Sequence, residues 1–124
     1  MDIKNVAVIG GGTMGNGIAH VFAMSGFSVT LIEMKQEFAD RALATITKNL
    51  DRMVSKEKIT NQQKEESLNN IIISLDVREG VKHADLVVEA VPEDLTIKTN
   101  VWKAVDEGAP EHAILGSKIG RAHV

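Results

Sequence analysis

Three glycines with the spacing Gly10-x-Gly12-x-x-Gly15 constrain this chain more than any other feature of its 124 residues. They follow the apolar segment 5–9, NVAVI, which is typical of a buried parallel strand. They precede a stretch of helical periodicity that ends near Gly26, a residue type that commonly terminates helices. The pattern therefore predicts a strand, a tight turn and a helix.

Each glycine has a distinct part in such a turn. Gly10 permits the sharp change of direction, Gly12 lets a pyrophosphate approach the backbone, and Gly15 lets the helix pack close to the sheet. Backbone N–H groups at the start of the helix bind anions without a basic side chain. We therefore predict a phosphate site formed by Gly10, Gly11, Gly12, Thr13, Met14 and Gly15.

Glu33 follows the second strand-like segment, 28–32, and stands 23 positions after Gly10. A carboxylate at this point can accept hydrogen bonds from both ribose hydroxyls of an adenosine. For an isolated glutamate, a solvated acid at a strand end is the commoner alternative. Beside the glycine turn, Glu33 indicates a dinucleotide, and NAD rather than NADP, because a carboxylate repels a 2′-phosphate.

The rest of the chain alternates helical and strand-like segments. The first helix has Met14, Ile18, Val21, Phe22 and Ser25 at helical spacing, and a longer one has Phe38, Ala42, Ile46 and Leu50 on one face. A shorter helix follows, with Thr60 as its predicted N-cap. Segments 70–75, 84–91 and 112–117 are predicted as strands, separated after residue 91 by another helix. This alternation predicts an α/β fold with a doubly wound parallel sheet.

Composition excludes several classes of function. The chain has no cysteine, which excludes disulfides, thiolate nucleophiles and cysteine-based metal sites, and we expect no metal. Aromatic residues make up 3% and the net charge is -3, so we expect no nucleic-acid partner. The first apolar run is broken by Gly10, and no segment reaches the length of a membrane span. We expect a cytoplasmic protein with no membrane partner.

The last seven residues, 118–124 (KIGRAHV), depart from the strand pattern before them. The same seven residues result from translating a common short-read sequencing adapter. We therefore interpret 118–124 as a sequencing-adapter artefact and 1–117 as one truncated domain.

Three blocks of the sequence resemble a known family: VAVIGGGTMGNGIAHVFAMSGFSVTLIE, ADLVVEAVPEDLTIK and PEHAILGS. They are similar to the NAD-binding domain of 3-hydroxyacyl-CoA dehydrogenases, especially the bacterial 3-hydroxybutyryl-CoA type, over residues 3–117. The resemblance implies a Rossmann-type sheet with a helical-pair insertion after strand two, incomplete at its C-terminus. It also implies hydride transfer between a 3-hydroxyacyl-CoA substrate and NAD.

The resemblance implies further site residues, each with a simpler alternative. Ala90 and Val91 would border the nicotinamide half of the cofactor, and Glu93 and Lys98 align with cofactor-site positions. Glu93 could equally be an acid that favours a helix N-terminus, and Lys98 a solvated helical lysine. On the helical pair, Lys56 and Asn49 fall where the family contacts coenzyme A, although Lys56 lies in a run that is often merely solvated.

Catalysis in the family needs a histidine that takes the hydroxyl proton and a glutamate that orients it. The resemblance places both beyond this chain, so we assign no catalytic residue in it, and His20, His83 and His112 receive no role. The full-length parent is expected to be a homodimer. Two other functions stay open: an NAD-dependent dehydrogenase of a non-thioester hydroxy acid, and a non-catalytic nucleotide-binding module.

Overall fold

A computed structural model describes residues 2–10, 12–91 and 95–117. Within them lies a five-stranded, all-parallel sheet in the order β3-β2-β1-β4-β5. The predicted α/β class and parallel sheet are confirmed. The elements in chain order are β1 Asn5–Ile9, α1 Thr13–Met24, β2 Ser28–Ile32, α2 Gln36–Ser55, α3 Asn61–Asn69, β3 Ile71–Ser74, α4 Val77–Gly80, β4 Leu86–Glu89, α5 Leu95–Gly108 and β5 Ile114–Ser117. The interpreted adapter segment, 118–124, lies outside the described residues.

Helices cover both faces of the sheet. Alternate side chains of the strands point to opposite faces, so Val6 and Val8 of β1 pack with buried residues of α1 and α2. Ala7 and Ile9 of the same strand pack on the other face with Val101 and Val105 of α5. The helical pair α2–α3 therefore shares its face with α1, and the glycine turn follows the carboxyl end of the central strand β1.

The first helix buries a face that differs in part from the one predicted. Its buried residues are Gly15, Asn16, Ala19 and Ala23, whereas Met14 and Val21 are 54% and 62% exposed. Small side chains face the sheet because the turn holds the helix too close for large ones. The apolar periodicity was therefore only partly correct: Ile18 and Phe22 pack against the core, whereas Met14 and Val21 lie on the solvent side.

Gly26 ends α1 as predicted, one position beyond the C-cap Ser25. Its φ of 93° is in the region that favours glycine. The N–H of Phe27 donates to Phe22 O and that of Gly26 to Ala23 O, at 3.1 and 3.2 Å. The rings of Phe22 and Phe27 meet edge to face with centroids 5.3 Å apart. These contacts form a Schellman motif that turns the chain into β2.

The helical pair begins and ends as its sequence indicates. Thr60 caps α3 through a reciprocal pair of bonds with Gln63: its hydroxyl accepts from the Gln63 N–H, and its own N–H donates to the Gln63 amide oxygen. On α2, Ala42, Ile46 and Leu50 are buried, while Phe38 is 37% exposed. Among the described residues, no helix is both long and apolar enough to cross a membrane.

Candidate functional site

The carboxyl ends of β1, β2 and β4 meet at one edge of the sheet, where a pocket of about 700 Å³ opens. Gly10, Glu33, Ala90 and Val91, which follow these three strands, all line it. This edge is where open α/β sheets bind their ligands. The structure therefore brings the predicted phosphate turn, ribose acid and nicotinamide border into one cavity.

At two glycines of the turn, other backbone atoms lie too close for a side chain, whereas at a third there is open space. A Cβ on Gly15 would lie 1.8 Å from Gly10 O, and one on Gly10 would lie 2.9 Å from Ala90 O. On Gly12, in contrast, a Cβ would meet nothing within 4 Å. Gly10 and Gly15 are therefore required by the protein's own packing, whereas the bare backbone at Gly12 faces space that a ligand can enter.

The start of α1 supplies hydrogen-bond donors to this space. Gly12 is its N-cap and provides no side-chain hydrogen bond, and the first backbone bond along the helix is from Asn16 N to Gly12 O at 3.0 Å. The N–H groups of Thr13 and Met14 precede that bond, and both residues line the pocket. A helix start with these donors and a positive dipole end favours a phosphate. Gly11 lies outside the described residues.

Glu33 is only 8% exposed and lines the pocket, so the alternative of a solvated strand-end acid is wrong. Its backbone N–H donates to Ser74 O at 3.0 Å, which ties the end of β2 to the end of β3. Beyond it, Phe38 and Arg41 line the same cavity, with the guanidinium 5.9 Å from the ring centroid. Glu33 thus lines the cavity in the short connection between β2 and α2.

Lys98 does not have the solvated position of the simpler alternative. Its Nζ lies 3.4 Å from Oε1 of Glu89, and the two side chains are 17% and 0% exposed. The other carboxylate oxygen of Glu89 accepts the Val91 N–H at 2.7 Å. Glu89 thereby connects α5 to the turn after β4.

Glu89 was not predicted as a site residue from the sequence. An acid inside the apolar run LVVEAV was nevertheless a usable signal, since a buried charge needs partners. Glu93 lies outside the described residues.

The two residues assigned to coenzyme A lie apart in the structure. Asn49 lines the pocket from α2, together with Thr45 one turn earlier. Lys56 is exposed at the C-cap of α2, about 10 Å farther along the helix, and does not line the pocket. The structure thus brings Asn49, but not Lys56, to the cavity.

The histidines of the described ranges lie away from the pocket. His112 pairs with Asp85 at the opposite edge of the sheet, where Asp85 also accepts the N–H groups at the start of β1. His83 is exposed shortly before β4. His20 lies on α1, where partial burial lowers its pKa. None of these three histidines lines the cavity.

The sheet order, glycine turn and strand-end acid define a dinucleotide-binding Rossmann domain, and the open space at Gly12 and the helix start fit the pyrophosphate. Residues 5–120 match the family model described as 3-hydroxyacyl-CoA dehydrogenase, NAD binding domain. The chain belongs to this family, and its cofactor is NAD. The resemblance stated from the sequence is confirmed.

Relatives and solved structures agree with this assignment. The chain is 40% identical over 112 residues to the 3-hydroxybutyryl-CoA dehydrogenase of Clostridioides difficile, covering 90% of this chain and 40% of the relative. It is 38% identical to the human mitochondrial hydroxyacyl-coenzyme A dehydrogenase, covering 93% of this chain and 38% of that enzyme. The crystal structure of 3-hydroxybutyryl-CoA dehydrogenase from Escherichia coli superimposes with a TM-score of 0.89 at 35% identity, covering 94% of this chain and 25% of that one. The chain thus spans about two fifths of the curated relatives it matches here, and less of the solved chain.

Proposed function

We propose that this chain is the NAD-binding part of a longer dehydrogenase that interconverts 3-hydroxyacyl-CoA and 3-ketoacyl-CoA. The observation that carries the proposal is the family match over residues 5–120, which includes the helical pair as well as the glycine turn. The relatives' names, 3-hydroxybutyryl-CoA and hydroxyacyl-coenzyme A dehydrogenase, support the substrate class. When bound, NAD supplies a hydride acceptor.

Within this proposal each site residue has a role. Main-chain N–H groups of residues 10–15 bind the pyrophosphate and Glu33 accepts from the adenosine ribose. Ala90 and Val91 border the nicotinamide, with Glu93 and Lys98 nearby. Asn49 and Lys56 contact coenzyme A, and the catalytic histidine and glutamate belong to the rest of the longer protein. The position of Asn49 in the pocket supports its role, whereas the exposed position of Lys56 requires the coenzyme to extend beyond the pocket.

The test uses the full-length protein and two ligands. NADH titration should give saturable binding, and NADH should be oxidised when acetoacetyl-CoA is added. Glu33→Ala should weaken NADH binding about tenfold by removing a charged hydrogen-bond acceptor. Glu37→Ala is the matched control, because Glu37 is exposed on the first turn of α2 and outside the pocket. Equal NADH affinity in the two variants would contradict the role of Glu33.

A second candidate is a dehydrogenase for a carbonyl compound without a thioester. It is favoured by a solved diketoreductase, described as acting on dicarbonyl compounds, that superimposes with a TM-score of 0.84 at 34% identity. A small diketone or hydroxy acid assayed beside acetoacetyl-CoA separates the two. Turnover of the small compound alone would replace the thioester proposal.

We also propose, as the resemblance implies, that the full-length protein is a homodimer, and that it is cytoplasmic. Sedimentation of the full-length protein tests the first, with a monomer as the contrary result. Cell fractionation tests the second.

A further inference from the structure

Gly17 is a glycine that the folding of the described residues does not require. It is the fifth residue of α1, inside the helix and exposed. Its φ is not positive, in contrast to that of Gly10, Gly12 and Gly26. Outside its own stretch of helix, a Cβ added at Gly17 would meet no atom of the described residues within 4 Å. Because glycine is less favourable than alanine inside a helix, this residue lowers the stability of α1 and improves no packing around it.

Gly17 also lines the pocket that contains Gly12 and Glu33. A glycine has no side chain, so the surface that it gives to the cavity is main-chain surface. In a helix, the exposed part of that surface is the side of Cα on which other residues carry Cβ. A methyl group at Gly17 would therefore extend into the cavity, where it meets no described atom. The missing Cβ leaves space for a molecule that enters the pocket.

The position of Gly17 along α1 separates it from the predicted phosphate site. It follows Thr13, the first residue of the helix, by four positions, which is about 6 Å along the axis. The groups proposed to bind NAD are the N–H donors before this point and residues that follow strand ends. Gly17 is instead a residue of a helix flank, as are Thr45 and Asn49 of α2, which line the same cavity.

The chemistry of these helix flanks favours an uncharged and narrow ligand group. Gly17, Ala42, Thr45 and Asn49 all line the pocket without a charge, and the charged lining residues are Glu33 and Arg41. A phosphate would find no cation among the four uncharged residues. The arm of coenzyme A is an uncharged, slender chain of methylene and amide groups, which needs room beside a backbone rather than an opposite charge.

We propose that Gly17 is a substrate-binding residue, whose bare backbone leaves space for the arm of an acyl-CoA between α1 and α2. The inference rests on the proposed function, which supplies the acyl-CoA and assigns Asn49 to it. The glycine is kept at the expense of the stability of α1, because any side chain here would occupy the path of the arm.

The experiment compares Gly17→Ala, Gly17→Leu and Asn100→Leu in the full-length protein. Alanine and leucine are both good helix formers, so the two Gly17 variants add bulk in two steps without weakening the helix. Asn100 is exposed on α5 and outside the pocket, so a leucine there is the control. The measurements are the thermal midpoint of the ligand-free protein and separate titrations with acetoacetyl-CoA and NADH.

We expect both Gly17 variants to melt at the wild-type temperature or above it, by about 2 °C for Gly17→Ala. The Kd for acetoacetyl-CoA should rise about threefold in Gly17→Ala and about tenfold in Gly17→Leu, and that for NADH should stay within about twofold. Asn100→Leu should change neither Kd. A gain in stability together with a loss of affinity for one ligand is the result that a purely structural role does not produce.

Three results overturn the proposal. The first is an unchanged affinity for acetoacetyl-CoA in Gly17→Leu, and the second is an equal loss of affinity for NADH. The third is a lower midpoint in both Gly17 variants, which would mean that the rest of the longer protein packs against this glycine. A wild type that does not bind acetoacetyl-CoA refutes the proposed function and this inference with it, whereas a wild type that binds it beside unaffected variants refutes the role of Gly17 alone.

Discussion

At the scale of single residues, we expect Gly15 to be needed for folding and Gly12 for binding the ligand. A Cβ on Gly15 would collide with Gly10 O at 1.8 Å, so Gly15→Ala must push α1 away from the sheet. We expect a loss of about 3 kcal/mol in the free energy of unfolding. Gly12→Ala adds a methyl group that meets no protein atom, so its cost is the strain of a φ of 33°, about 1–2 kcal/mol.

NADH binding should separate the two variants further. The methyl group of Gly12→Ala occupies space proposed for the pyrophosphate, so we expect the Kd for NADH to rise about tenfold in protein that remains folded. Denaturant unfolding and NADH titration of both variants provide the check. Gly12→Ala with unchanged affinity would mean that no ligand comes close to this backbone.

The contribution of the Lys98–Glu89 ion pair to stability can be tested with a single substitution. Lys98→Met removes the ammonium from a carboxylate that is 0% exposed. We expect the free energy of unfolding to fall by about 2–3 kcal/mol, since a buried charge that loses its partner is strongly destabilising. Lys103→Met is the control, because Lys103 is exposed on the same helix. Equal losses in the two variants, measured by denaturant unfolding, would show that the pair contributes nothing special.

At the scale of elements, the sequence determined the strands better than the helix faces. β1 and β2 have the predicted bounds, whereas the predictions for β3, β4 and β5 were too long at both ends or at one. Apolar runs overestimate strands because adjoining turns are buried too: Ala84, Ala90 and Val91 are core residues outside β4. The helix α4 was not predicted, because the four residues that follow its N-cap, Asp76, are too few to show a helical period.

The candidate site was predictable to the extent that it depends on backbone chemistry. Gly10, Gly12, Gly15 and Glu33 could be found because a tight turn and a strand-end acid leave local sequence patterns. The acid of Glu89 inside an apolar run was a usable signal of burial, but its partners, Lys98 and the Val91 N–H, are not revealed by periodicity. The sequence pattern of α1 was right for Ile18 and Phe22, which pack on the core, and wrong for Met14 and Val21, which are exposed.

Asp85 connects three elements at the edge opposite the pocket. One carboxylate oxygen accepts the N–H groups of Lys4 and Asn5 at 2.9 Å, and the other lies 2.8 Å from His112 Nε2. The two backbone bonds, followed by the bond with His112, lower the pKa of Asp85 from 3.8 to about 2. Because the folded state holds the charged form, the stabilisation is present above about pH 4 and is lost as the pH falls to about 2.

We therefore expect Asp85→Ala to be less stable than the wild type at pH 6, with a difference that shrinks between pH 4 and pH 2. Thermal unfolding across this range measures the difference. Asp106→Ala, at an exposed position on α5, controls for the loss of any surface acid. A difference that stays constant down to pH 2 would contradict the role of the carboxylate.

At the scale of the whole molecule, β3 and β5 form the two edges of the sheet, and no strand of residues 2–10, 12–91 or 95–117 pairs with their outer sides. Ile72 of β3 is 63% exposed and Ile114 of β5 is 45% exposed. Open strand edges with apolar side chains pair readily with other chains. In the relatives, which are more than twice as long, additional chain is available to cover such surfaces.

We expect the 124-residue chain on its own to self-associate, with a sedimentation coefficient that increases with protein concentration. Ile114→Lys should reduce this association, because a lysine on an edge strand opposes pairing with another strand. Val21→Lys is the control: Val21, like Ile114, is an exposed aliphatic residue, at 62% against 45%, but it lies on α1 rather than on an edge strand. If the two variants changed the association equally, general surface hydrophobicity would be responsible rather than the strand edge. A monodisperse monomer at every concentration would show that the edges of this sheet need no cover.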